Sequence, residues 1–260
     1  LKTPSSLLTV VTVVYNARQD FLTTLASIRE QTARADFEYL VVDGGSIDGT
    51  VDEIRAAADR GEVDSWVSEP DRGIYDAMNK AIGLAGGQWV LFMNSADVFV
   101  SPSSVADSRL ADVTTGLAYG HCEQVYPDGG VHLTRCRDFE TTLVAMPCSH
   151  QSLFARRDLL VRFPFDLRYR VAADHHFLAR CLGAGVTATK WDRTIARVRL
   201  EHYSWKQLQS GQRQKCEAML DAGAPPAIRS VYWRQTAALG VKHLLKKLAP
   251  ASWWRRTWRT

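Results

Sequence analysis

The sequence predicts an α/β fold with a mostly parallel, Rossmann-like sheet, a mixed second half and helices toward the C-terminal end. Three observations point there. Apolar, β-branched runs recur at residues 7–15, 37–42 and 88–93, the pattern of strands buried on both faces. Segments of helical periodicity separate them. Polar residues gather where the runs end, which is where an open parallel sheet receives its ligands.

The first run, L-L-T-V-V-T-V-V-Y, closes at Asn16. Phe21, Leu22, Leu25 and Ile28 then recur at helical spacing and predict a helix over 20–31, followed by the strand over 37–42. A helix is expected after Thr50, a short strand over 63–67, a helix over 74–85 and a strand over 88–93. Beyond Asp97 the alternation loosens. Residues 117–125 and 131–134 flank Pro127-Asp128-Gly129-Gly130, a turn signal for an antiparallel hairpin. Late helices are predicted over 174–182, 205–220 and 227–248, with Pro250 stopping the last. No internal repeat or low-complexity linker interrupts the chain. The simplest organisation is one domain over 1–221, in two halves over 1–100 and 101–221, with a helical appendage over 222–260.

Composition narrows the class. An apolar fraction of 46% with 23% charged residues supplies a buried core and excludes global disorder. Five cysteines, Cys122, Cys136, Cys148, Cys181 and Cys216, are scattered and form no C-x-x-C pair, so neither a disulfide framework nor a zinc site is indicated. The apolar start lacks a basic flank and a cleavage site, and no run approaches the length of a membrane span. A cytoplasmic protein, neither secreted nor transmembrane, is expected.

The net charge of +4 conceals an asymmetry. After Asp221 the chain carries eight basic residues and no acid, so the preceding part holds 24 basic against 28 acidic residues. An acidic body with a basic tail predicts a local surface contact and not a nucleic-acid partner. The tail segments K-H-L-L-K-K-L (242–248) and W-W-R-R-T-W-R (253–259) interleave basic and aromatic residues, as interfacial membrane segments do, although a solvated helix packed on the core fits the same pattern.

The polar strand ends carry the chemistry. Tyr15 and Asn16 close the first strand, Asp43 the second, and Asn94-Ser95-Ala96-Asp97 the strand that ends at Met93. The loop D-G-G-S-I-D-G-T over 43–50 is Gly-rich enough to bring backbone close to a ligand, yet it is neither G-x-G-x-x-G nor a P-loop. Asp43 suits the imide of a uracil or a ribose hydroxyl. Asp48 or Thr50 reads more simply as a cap for the next helix, with Thr50 and Glu53 as a capping box, and Asp76 and Lys80 as an i,i+4 pair. Arg72, beside Gly73 and before the helix, is placed to reach an anionic or nucleobase group.

The blocks T-V-V-Y-N (12–16), V-D-G-G-S-I-D-G-T (42–50), E-P-D-R-G-I-Y-D-A-M-N-K (69–80) and N-S-A-D (94–97) resemble, in type and order, those of the inverting family 2 glycosyltransferases. P-C-S-H-Q-S-L-F (147–154) and P-F-D-L-R-Y-R-V-A-A-D (164–174) extend the resemblance to about residue 180. The resemblance implies a GT-A fold, with a nucleotide-binding half over 1–100 and an acceptor half over 101–221. It implies that Thr12, Tyr15, Asp43, Asp71 and Arg72 line the nucleoside pocket. Asp97 matches the last carboxylate of the family's metal motif, so a divalent cation, Mn²⁺ or Mg²⁺, is expected on the donor diphosphate. Asn94 and Ser95 stand where that motif is often acidic, which thins the site.

Inversion requires a carboxylate to take the proton of the attacking hydroxyl. By resemblance that base is Asp174; as a residue alone, Asp174 also reads as an acid favoured by a helix N-terminus. His150 and Gln151 fall where acceptor-side residues are expected, and His202 where some relatives place a further metal ligand. His175 and His176 are adjacent on a helix and face different ways, which argues against a shared metal.

The expectation is therefore an inverting transferase that moves a sugar from a nucleoside diphosphate, UDP by preference, to a saccharide or lipid-linked acceptor of the cell envelope, at the inner face of the membrane. The absence of Q-x-x-R-W predicts a non-processive enzyme. A non-catalytic nucleotide-sugar-binding partner and a nucleotidyltransferase are the alternatives; the latter lacks its basic Gly-rich first loop.

Overall fold

The computed structural model describes residues 6–200 and 205–248, with side chains described as far as Val241. Four parallel strands form its first half: β1 (Ser6–Val14), β2 (Phe37–Asp43), β3 (Ser65–Ser68) and β4 (Gly87–Phe92). They alternate with α1 (Arg18–Arg29), α2 (Thr50–Asp59) and α3 (Ile74–Leu84). In the register, Val14 of β1 stands beside Asp43, and Val11 beside Phe92. The carboxyl ends of β1, β2 and β4 therefore open on one rim.

The second half adds β5 (Val98–Phe99), β6 (Leu117–Val125), β7 (Val131–Thr134), β8 (Leu153–Arg156) and β9 (Ala188–Arg199). Its helices are α4 (Arg157–Arg162), α5 (Ala173–Gly183), α6 (Trp205–Asp221) and α7 (Ile228–Leu248). All nine strands join one sheet in the order β3-β2-β1-β4-β8-β6-β9-β5, with β7 paired to β6. β8 runs antiparallel to β4 and β6, and β9 parallel to β6, so the second half is mixed as expected.

Strand period sorts the core into two layers. Val10, Tyr39, Val41, Trp89 and Leu91 face one side, where Phe21, Leu25 and Ile28 of α1 and Ile54 of α2 cover them. Val11, Leu40, Val42, Val90 and Phe92 face the other, against Tyr75, Met78 and Ile82 of α3 and Phe177 of α5. Each such side chain stabilises the fold by roughly 1.5–3 kcal/mol through burial. Substituting a charge at any of these positions would strand it in the core.

Several local expectations are corrected. Thr50 does not head a capping box: Gly49 is the cap, at φ 91°, and the Thr50 hydroxyl bonds Asp48 Oδ1 at 2.5 Å. Glu53 is taken by Arg18 instead. Asp76 does not pair with Lys80, because Arg72 lies 3.0 Å from Asp76 and Lys80 bonds Glu69 at 2.9 Å. β9 is absent from the sequence reading altogether. Register shifts opposite His121 break its alternation, leaving Ile195 and Ala196 consecutive and both buried.

The start of α7 packs on the body through buried Ile228 and Tyr232, whose hydroxyl donates to Leu143 O at 3.2 Å. The side chains of 242–260 lie outside the described residues. No helix among the described residues is long and apolar enough to cross a membrane.

Candidate active site

The rim at the ends of β1 and β2 brings three separated blocks together. Gly44 is the contact point: a Cβ there would lie 2.6 Å from Asp71 Oδ2 and 3.2 Å from Tyr15 Cδ2, so a side chain would push Asp71 and Tyr15 from their present positions. Tyr15 is 62% exposed and free to present its ring to a ligand. Asp71 Oδ1 accepts the Gly73 amide at 2.7 Å, which orders the chain into α3. Arg72 is exposed and already engaged with Asp76.

Two other residues expected at the nucleoside pocket are committed to the framework. Thr12 is fully buried, donating to Met93 O at 2.7 Å and accepting from the Tyr39 hydroxyl at 3.0 Å. Asp43 is buried too, and its carboxylate accepts the amides of Gly45 and Ser46 and the hydroxyls of Ser46 and Ser68. Those four bonds give its loop a fixed shape. Asn16, at φ 47°, extends the same network by accepting the Ile47 amide.

At the end of β4 the chain turns sharply, with Ala96 at φ 76°. A non-glycine residue pays steric strain there. The Thr24 hydroxyl lies 3.2 Å from Asn94 O and 2.8 Å from Asp97 O and fixes the turn from α1. Asp97 is 6% exposed, and its Oδ2 accepts from Gln151 at 2.7 Å. Burial pushes its carboxyl up to about 6, against the opposing pull of that hydrogen bond. Attraction from His150 and Arg199 acts in the same direction as that bond and falls short of offsetting burial. The buried Asn94 Oδ1 has no hydrogen-bond partner. Oxygen donors of this kind suit a hard divalent cation, which commonly takes one or two carboxylates and completes its shell with substrate phosphates. The described residues contain no cluster of three or more His, Cys, Asp or Glu that holds a metal by itself. His202 lies outside the described residues.

Asp174 stands in the first turn of α5, gripped from three directions. Its Oδ1 accepts from the Tyr75 hydroxyl at 3.0 Å and from the His175 amide at 2.8 Å, and its Oδ2 faces His150 Nδ1 at 3.2 Å. The other nitrogen of His150 lies 2.9 Å from Asn94 Nδ2. A continuous path thus runs Asn94–His150–Asp174–Tyr75 from the end of β4 to α3. Burial alone would raise the Asp174 carboxyl, but the hydrogen bond and charge of His150 and the His175 amide outweigh it and hold it down to about 2. The group is ionised throughout the neutral range. Burial and the Asp174 charge push the Tyr75 phenol far above its ordinary value, so it remains a donor.

Tyr75 and Asn79 are absent from the sequence-based candidates. Both sit in the I-Y-D-A-M-N-K block, one turn apart on the face of α3 that meets the second half. Asn79 Nδ2 donates to Phe165 O at 2.8 Å and its Oδ1 accepts the Phe165 amide at 2.9 Å. The Tyr75 and Phe165 rings lie 5.4 Å apart. Their position between two halves of the chain was invisible to spacing within one helix. The two histidines of α5 face different partners: His175 contacts Thr142 O, and His176 packs its ring 5.1 Å from Tyr169.

Asp174, His150 and His175 also line a cavity of about 570 Å³, walled by the segment 144–150, the arm after β7, α6 and α7. The strand-end rim and this cavity therefore adjoin across His150 and Asn94.

Comparison with known proteins assigns this architecture. The family model described as glycosyl transferase family 2 matches residues 9–107. A PGL/p-HBAD biosynthesis glycosyltransferase of Mycobacterium tuberculosis is 35% identical over 179 residues, covering 66% of this chain and 68% of the relative. Glycosyltransferase AglE of Haloferax volcanii is 28% identical over 195 residues, covering 69% of this chain and 62% of that protein. Among solved structures, the mannosyltransferase PcManGT of Pyrobaculum calidifontis, in complex with GDP-Man and Mn²⁺, superposes with a TM-score of 0.66 at 22% identity, covering 90% of this chain and 70% of that one. S. aureus TarS 1–349 in complex with UDP superposes with a TM-score of 0.64 at 17% identity, covering 87% and 69%. The fold is GT-A. The chain belongs to glycosyl transferase family 2 and is a glycosyltransferase.

Proposed function

We propose that the enzyme transfers a sugar, with inversion, from a UDP-sugar to a saccharide or lipid-linked acceptor in cell-envelope glycan or glycolipid synthesis. The observation that carries this reading is Asp174, a carboxylate held ionised by His150 and the His175 amide and lining a cavity that adjoins the strand-end rim. The similarity to a glycosyltransferase of PGL/p-HBAD biosynthesis supports a biosynthetic transfer of this kind.

In this reading Tyr15, Asp71 and the Gly44 backbone contact the nucleoside, while Asp43 and Thr12 shape the loops that carry them. Arg72 swings from Asp76 toward the donor. Asp97, with Asn94 beside it in sequence, holds a divalent cation of the kind bound in the mannosyltransferase. That cation would neutralise charge on the departing diphosphate. The acceptor hydroxyl enters the cavity and hydrogen-bonds Asp174, which takes its proton as the hydroxyl acidifies along the reaction path. His150 keeps Asp174 oriented, and Gln151 keeps Asp97 oriented.

Association with the inner face of a membrane belongs to the same proposal. Trp233 is 72% exposed and Val241 58% exposed on one side of α7, two turns apart, and the sequence continues into the basic, Trp-rich segment. Interfacial helices combine these features.

Calorimetry with UDP-GlcNAc, UDP-glucose and GDP-mannose, with and without Mn²⁺, tests the donor assignment. Binding of a UDP-sugar that strengthens with Mn²⁺ and is lost in Asp71→Ala supports it; binding confined to GDP-mannose refutes the UDP assignment.

A further inference from the structure

We infer that the acceptor carries a phosphate group next to the hydroxyl it offers, and that Arg137 and Lys215 bind that phosphate. The inference rests on the reading of Asp174 as the base, because it concerns the cavity that Asp174 lines.

The cavity holds a lopsided set of charges. Arg135, Arg137 and Lys215 line it, and Asp174 is its one acidic lining residue. Asp174 contacts Tyr75, His150 and the His175 amide and forms no ion pair with any of the three cations. Arg135 has a distant partner in Asp192 at 3.8 Å, on an exposed surface. Arg137 and Lys215 make no ion pair among the described residues. Two cations beside a concavity, with no carboxylate paired to them among the described residues, form a site for an anion.

The walls are built to keep that shape. The Arg137 amide donates to Pro147 O at 2.7 Å, and its carbonyl accepts from the Tyr119 hydroxyl at 2.8 Å, so the arm after β7 is pinned on both sides of the residue. Across the cavity, Gln235 Nε2 donates to Val144 O at 2.9 Å and ties α7 to the segment that bears His150. Gln212 lies one turn before Lys215 on α6 and lines the same space, and its buried Oε1 has no hydrogen-bond partner. An acceptor hydroxyl would satisfy that oxygen. A guanidinium fork and an ammonium then meet the phosphate, since arginine binds its planar edge and lysine its charge.

Two sources share this chemistry: a sugar phosphate in solution and a phosphate at a lipid headgroup. The test uses the full chain, with glycerol 3-phosphate against glycerol, and micelles doped with lysophosphatidic acid against monoacylglycerol. Each is titrated calorimetrically with and without saturating UDP. The phosphate-bearing member of at least one pair is expected to bind at least tenfold tighter than its neutral match, with UDP leaving that affinity unchanged. The micellar pair responding alone identifies a lipid phosphate; the soluble pair responding identifies a phosphate without a lipid requirement. Arg137→Gln and Lys215→Gln should each weaken that binding about tenfold or more, Arg137→Lys should restore part of it, and Arg55→Gln, on exposed α2, should not alter it. Melting temperatures of all four variants identify any loss caused by misfolding, in which case Arg137→Lys decides.

Equal binding of charged and neutral probes, unchanged affinity in folded Arg137→Gln and Lys215→Gln, or competition by UDP would overturn the inference. Hydrolysis of the UDP-sugar is followed in the same preparations. Absent hydrolysis with intact, Arg137-dependent phosphate binding rejects the proposed transfer and leaves the phosphate site standing; hydrolysis without phosphate selectivity does the reverse.

Discussion

The Tyr75 hydroxyl donates to Asp174 Oδ1 at 3.0 Å, across 99 positions of sequence, and so joins α3 of the first half to α5 of the second. Tyr75→Phe removes that donor while keeping the ring against Phe165. Loss of one charge-assisted hydrogen bond should destabilise the chain by about 1.5–3 kcal/mol. The expected kinetic result is a kcat lowered roughly tenfold with the donor KM unchanged, because the base loses orientation and not its charge. A steady-state comparison with wild type checks the split.

The same carboxylate sets an acid sensitivity. Asp174 is held at about 2, below the value of 3.8 for an unperturbed aspartate, so its contribution is complete above pH 3.8 and disappears as pH falls toward 2. The linkage is worth up to about 2 kcal/mol. Thermal melts from pH 6 to pH 2.5 should show wild type losing stability more steeply than Asp174→Asn, and His150→Gln intermediate between them. Parallel curves for the three proteins would refute the assignment.

These two relationships mark how far the sequence could be read. The β-α-β alternation of the first half was legible because both layers of the core repeat with strand period, Val10, Tyr39 and Trp89 on one face and Val11, Leu40 and Val90 on the other. The hairpin of β6 and β7 was legible from its turn. β9 was not, since its pairing with β6 slips twice and the alternation that betrays a strand is lost. Within the site, Asp174, His150, Gln151 and Asp97 were identified singly, and their pairing emerged only in three dimensions. Tyr75 was hidden because a tyrosine on a helix face gives no local sign of a partner on another element. Thr12 and Asp43 show the opposite limit: a polar residue at a strand end can be absorbed by the framework as readily as presented to a ligand.

Asp97 carries a buried charge whose hydrogen bonds do not offset its desolvation, so its neutral isostere should fold better and bind less. Asp97→Asn retains an oxygen for Gln151 and removes the desolvated charge. Its melting temperature at pH 8 is expected to rise, while Mn²⁺-enhanced donor binding falls at least tenfold. Donor affinity measured in EDTA should match wild type. A variant that keeps the full Mn²⁺ enhancement would remove Asp97 from the cation's ligands.

Gly44→Ala tests the rim without touching a polar group. Its Cβ, 2.6 Å from Asp71 Oδ2, forces Asp71 and Tyr15 apart, both of which can yield toward solvent. Stability should change by no more than about 1 kcal/mol, whereas nucleotide affinity should drop about tenfold. Titration with UDP alone measures it. An unaltered affinity would mean that the nucleoside does not rest on Tyr15 and Asp71.

The most direct measurement is single-turnover transfer by Asp174→Asn alongside its donor affinity. Asparagine keeps one oxygen for Tyr75 and the His175 amide, gives up the one that faces His150, and accepts no proton from the incoming hydroxyl. Transfer is expected to slow by about a thousandfold or more, with UDP-sugar binding within twofold of wild type. Transfer at the wild-type rate would contradict it, and the proton acceptor would have to be sought elsewhere on the rim.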